Sequence, residues 1–121
     1  MPVYNPSTFA PERLYQGQPS TRESTLYTAP STCQRVIIKE IIITNTSSSN
    51  ATVSLSIVPS GQTAGVANRI LASATLAAAG QPNSSLKLDQ MSQVMYANDF
   101  ISGLQGTSGA ITVTISGVVI S

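Results

Sequence analysis

Apolar and polar residues alternate with a period of two along Thr52-Val-Ser-Leu-Ser-Ile-Val58, placing Val53, Leu55 and Ile57 on one side and Thr52, Ser54 and Ser56 on the other. This pattern predicts a β-strand with one face in a core and one hydroxyl-coated face in water. Ile111, Val113 and Ile115 alternate with Thr112, Thr114 and Ser116 in the same way. A third run, Arg35-Val-Ile-Ile-Lys-Glu-Ile-Ile-Ile-Thr44, is joined to the first by the polar turn Asn45-Thr-Ser-Ser-Ser-Asn-Ala51 and behaves differently. Strict alternation puts Val36, Ile38 and Ile42 on one face and Ile37, Ile41 and Ile43 on the other, interrupted only by Lys39 and Glu40. One apolar face meets the domain core. The second must be covered too, by a subunit contact or by the N-terminal segment of the same chain. The apolar end Gly117-Val-Val-Ile-Ser121 likewise predicts a strand edge that needs a partner.

Gly, Pro, Asn and Ser divide the chain beyond Leu26 into short apolar runs, at 25–28, 35–44, 52–58, 69–76, 84–89, 99–104 and 110–120. Pro59-Ser-Gly-Gln-Thr-Ala-Gly65 reads as a loop, Gly80-Gln-Pro-Asn83 as a turn and Gly106-Thr-Ser-Gly109 as a tight connection into the last strand. The Ala-rich Leu71-Ala-Ser-Ala-Thr-Leu-Ala-Ala-Ala79 has helical propensity, but it is short, lacks a charged face and runs into Gly80, so it is read as a strand. The predicted fold is all-β: an antiparallel sandwich, jelly-roll or immunoglobulin-like, of about seven or eight strands. Val53, Leu55, Ile57, Leu86, Leu88, Ile111, Val113 and Ile115 are expected to share its core.

Residues 1–25 differ from the rest, with Pro2, Pro6, Pro11 and Pro19 among few aliphatic residues. Proline at that density excludes a helix or a central strand. So little apolar surface cannot offset roughly 1–2 kcal/mol of backbone entropy per ordered residue without outside contacts. The segment is therefore expected to be an extended arm on another surface, ahead of a sandwich domain at 26–121. In the alternative, the arm folds back on its own domain, because Tyr4, Phe9, Leu14 and Tyr15 suit either surface. These four, with Ile37, Ile41 and Ile43, are the candidate interface residues.

Serine and threonine supply roughly a quarter of the residues against 9% charged side chains, giving a polar but nearly uncharged surface. The net charge is +1, with Arg13, Arg22, Arg35, Lys39, Arg69 and Lys87 scattered along the chain, so there is no basic stripe of the kind nucleic acid requires. The 121 residues fit one domain, able to bury roughly two-thirds of its unfolded surface without a metal or disulfide staple. Cys33 has no intrachain partner and reads as a small apolar filler. The start lacks the basic and apolar regions of a signal peptide, and no apolar run is long enough to cross a bilayer, so no membrane partner is expected.

Catalytic parts are scarce. Without histidine there is no Ser-His or Cys-His couple, and Cys33 lacks a base. A glycosidase-like carboxylate pair drawn from Asp89, Asp99 and Glu40 is the one catalytic option, but Asp99 follows Asn98 in a turn and Asp89 ends a strand, where short acids serve as turn and cap groups. Scattered carboxylates and one cysteine form no metal-ligand spacing, and Gly61-Gln-Thr-Ala-Gly65 lacks the lysine and hydroxyl that close a nucleotide-binding turn. No catalytic residue, metal or cofactor is expected. Tyr4, Tyr15, Tyr27 and Tyr96 would be the platform of a glycan site, although scattered tyrosines more often pack.

The order of phrases Leu26-Tyr-Thr-Ala-Pro30, Lys39-Glu-Ile-Ile-Ile-Thr-Asn-Thr46, Val58-Pro-Ser-Gly61, Met95-Tyr-Ala-Asn-Asp-Phe-Ile101 and Ile115-Ser-Gly-Val118 resembles a family of small tailed-bacteriophage virion proteins over residues 14 to 119. The resemblance implies a compact β-sandwich serving as a head-decoration, neck or tail component. That family commonly has glycine where this chain has Asn98, and asparagine tolerates the left-handed backbone of such a turn. The function expected on this basis is non-enzymatic. The chain would be a capsid decoration or cement protein, made in the host cytoplasm and anchored by its arm to the major capsid protein. Tail or neck subunits are the alternative partners, and a receptor- or glycan-binding module of the tail tip is the alternative role. A homo-oligomer is expected in either case.

Overall fold

The computed structural model describes residues 9–121. Nine strands follow one another: β1 Phe9–Gly17, β2 Ser24–Thr28, β3 Arg35–Asn45, β4 Ala51–Val58, β5 Arg69–Leu76, β6 Ser85–Leu88, β7 Gln93–Met95, β8 Phe100–Gln105 and β9 Ile111–Ile120. They form an antiparallel five-stranded sheet in the order β1-β9-β3-β6, with β7 also on β3, and a four-stranded sheet in the order β2-β8-β4-β5. In effect the chain is one long hairpin. β4 pairs with β5, β3 with β6 and β7, β2 with β8, and β1 with β9; wrapping that hairpin around a core brings β9 beside β3 and β8 beside β4. This is the jelly-roll solution among the sandwiches the sequence admits.

The seven runs read from the pattern coincide with β2 to β6, β8 and β9, and the Ala-rich segment is a strand through Leu76. The pattern does not reveal β7, which has three residues, or β1. Phe9–Gly17, assigned from sequence to an arm, pairs with β9 along its length and sends Leu14 into the core. Pro11 is compatible with this because β1 is an edge strand, and the ladder loses no donor it would need on the free side. Tyr4 lies outside the described residues.

Val36, Ile38, Ile41, Ile43, Val53, Leu55, Ile101, Ile111, Val113 and Ile115 are at most 1% exposed and form one core between the sheets. Ile57, Leu86 and Leu88 are partly buried against it. Ile41 and Ile43 were expected on the face opposite Val36 and Ile38. A β-bulge between Ile38 and Glu40 shifts the register against β9, so all four point inward and only Ile37 and Ile42 remain outside. Gly117 makes the bulge possible: a Cβ there would come within 2.3 Å of the Ile37 carbonyl oxygen.

Two buried amides close one end of the sandwich, both beside the start of β9. Asn45, 1% exposed, donates through Nδ2 to the carbonyls of Ser49, Leu76 and Ala77, while its Oδ1 accepts from the Ser47 amide and hydroxyl. Gln105 donates to the Pro19 carbonyl and accepts from the Ala110 and Ile111 amides, tying the β1–β2 connection to the last turn. Every buried side-chain nitrogen or oxygen among the described residues has a partner.

Candidate functional site

The three candidate acids sit in different settings. Asp99 Oδ2 accepts from the Tyr96 amide at 2.8 Å within the β7–β8 turn, and Oδ1 accepts from the Ser60 amide at 2.9 Å, tying that turn to the loop after β4. Asn98 takes the left-handed backbone of that turn, with φ 69°. Glu40 lies 3.6 Å from Lys87. Asp89 lines an open groove of about 580 Å³ between the free edges of β5 and β6, together with Ile70, Lys87, Leu88, Met91 and Gln93, and is the one carboxylate there. Among the described residues no three His, Cys, Asp or Glu side chains cluster for a metal.

The tyrosines are dispersed as well. Tyr15 and Tyr27 pack against the core, and burial raises both hydroxyls above their usual pKa, with Glu12 and Cys33 adding to the effect at Tyr27. Tyr96 is 59% exposed in its turn. An exposed stacking platform is not formed by the described tyrosines.

What the fold does create is two unlike outer faces. On the four-stranded sheet, Ser102 of β8, Ser56 of β4 and Arg69 of β5 stand in one transverse row. Glu23, just ahead of β2, reaches over that row: Arg69 Nη1 lies 2.8 Å from both of its carboxylate oxygens, and the Ser102 hydroxyl donates to it at 2.8 Å. Arg69 also donates to the Ser56 hydroxyl at 2.8 Å. Sequence reading missed this network because its members are dispersed from residue 23 to residue 102 and meet only through sheet register.

On the five-stranded sheet, register brings Pro11 of β1, Val118 of β9, Ile37 of β3 and Val94 of β7 into one row on the outer face. Phe9 and Ile120 continue it in the adjacent row, which ends at Arg35. Phe9 is 66% and Val94 41% exposed. The other half of this face is polar, with Gln16, Thr114, Ile42 and Lys87 in a row and Thr112, Thr44 and Ser85 in another. Of the interface candidates, the structure therefore brings Phe9 and Ile37 together on an accessible surface. Leu14, Ile41 and Ile43 are core residues, and Tyr15 packs against that core.

The same architecture is present in solved bacteriophage structures. A chain of the cyanophage Pam1 capsid asymmetric unit is similar with a TM-score of 0.50 at 16% identity, the match covering 99% of this chain and 90% of that one. A chain of the acidic stable capsid of Helicobacter pylori bacteriophage KHP30 is similar with a TM-score of 0.53 at 12% identity, covering 98% and 90%. No protein-family model matches the chain, and no curated protein matches it. The chain is thus a single jelly-roll sandwich with the fold of chains found in two phage capsids.

Proposed function

We propose that this chain is a non-enzymatic structural protein of a tailed-bacteriophage virion, sitting in many copies on the head as a decoration or cement protein. The observation that carries this reading is the likeness to chains of two phage capsids over 98–99% of this chain and 90% of each of those. The chemistry agrees in one respect: both Asp99 carboxylate oxygens are taken up by backbone amides, those of Ser60 and Tyr96. Anchorage is proposed through residues 1–25, of which residues 1–8 lie outside the described ones and Phe9 offers an exposed side chain at the start of β1. The major capsid protein is the proposed partner. Separating purified particles into heads and tails and probing each with an antibody tests the assignment. The protein is expected with the heads, and heads made without it should break at lower temperature. Its confinement to tails, or absence from particles, overturns the proposal.

A further inference from the structure

We infer that the outer face of the five-stranded sheet, centred on Ile37, is the surface by which this protein docks, and that its occupant is an apolar, acid-rimmed surface of another virion protein rather than a second copy of this chain. The inference rests on the virion reading above and names the face and the partner's chemistry. Phe9, Pro11, Ile37, Val94, Val118 and Ile120 form a continuous apolar patch across four strands, whereas soluble surfaces normally scatter such residues singly. The patch is bordered by cations. Arg35 ends one of its rows and Lys39 follows Ile37 at the bulge; both are exposed, and neither side chain has an ion-pair partner among the described residues.

Charge and size identify the occupant. Two copies packed face to face would bring together two sets of Arg35 and Lys39, and Glu40, the carboxylate in the row next to the patch, is already engaged by Lys87. Four strands at about 4.8 Å spacing make the patch about 14 Å across between its outer strands, and its two rows lie about 7 Å apart, a backbone footprint on the order of 100 Å², far less than the roughly 800 Å² per partner of a stable dimer. A protruding loop or extended segment fits that area. Its matching chemistry is apolar side chains over Ile37 and Val94 with carboxylates reaching Arg35 and Lys39.

The test uses particles produced without the native copy and purified full-length protein, with binding followed by co-sedimentation. Wild type should bind. Its failure to bind overturns the virion reading itself, which separates that error from an error about the face. Phe9→Ser/Val94→Ser and, independently, Arg35→Glu/Lys39→Glu should each weaken binding by about tenfold or more, with melting temperature unchanged because all four residues are exposed. Only the charge-reversed deficit should shrink as salt is raised. Thr75→Glu, at an exposed position of β5 on the opposite sheet and outside the Glu23–Arg69 network, should bind as wild type. Wild-type binding by both variants of the five-stranded sheet, or loss with Thr75→Glu alone, overturns the assigned face. A wild-type dimer in sedimentation velocity that Phe9→Ser/Val94→Ser dissolves overturns the assigned occupant.

Discussion

On the outer face of the four-stranded sheet, charge and hydroxyl groups are answered from within the chain: Glu23 binds Arg69 and Ser102, and Arg69 binds Ser56. On the outer face of the five-stranded sheet the converse holds. Its exposed apolar row and the cations Arg35 and Lys39 find no counterpart among the described residues. Both faces grow from the same core, so the contrast is not one of stability. It teaches that a jelly roll can devote one sheet to completing itself and leave the other to complete something else. Changes on the first face should cost folding, and changes on the second should cost association.

The largest effect belongs to the core the two sheets share. Leu55→Ala, at a residue 0% exposed between them, should destabilise the domain by about 2–5 kcal/mol in chemical denaturation. A loss below about 0.5 kcal/mol, the range of ordinary surface positions, would mean that β4 faces the other way. Arg69→Ala comes next. It strips Glu23 and the buried Ser56 hydroxyl of a partner and should cost about 1–3 kcal/mol, so a neutral result would erase the distinction between the faces. Val94→Ser on the opposite sheet should stay within about 0.5 kcal/mol of wild type by the same measurement. The smallest effect concerns pH. Burial, then Glu12 and Cys33, hold the Tyr27 pKa above 10.0, so the folded state keeps this proton to higher pH than the unfolded state. Its contribution is complete below 10.0 and is lost as pH climbs through the raised value. Melting curves should fall less steeply with alkaline pH in Tyr27→Phe than in wild type.

Much of this fold was legible because most strands carry their own period-two signal, bounded by turn residues whose chemistry is local. Asn98 illustrates this, since its left-handed backbone follows from its side chain and its place before Asp99. The outer surface was less legible. Alternation assigns faces correctly only while register is unbroken, and the bulge after Ile38 reverses the parity of Ile41 and Ile43, leaving Ile37 outside. Nothing local to β3 announces that bulge; it depends on Gly117, which meets it only in the folded sheet. β1 was hidden for a related reason. Pro11 argues against a strand in general, yet an edge strand has a free side on which the missing donor costs nothing. Asn45 reads as a turn residue, and only long-range closure turns it and Gln105 into buried clamps.

Imaging of the intact particle bears most directly on the central claim. The jelly roll should be found on the head in many copies, with the Ile37 face of its five-stranded sheet against a neighbouring capsid protein and the Glu23–Arg69 face toward solvent. A head without this density, or with the Glu23–Arg69 face buried and the Ile37 face free, would contradict the account.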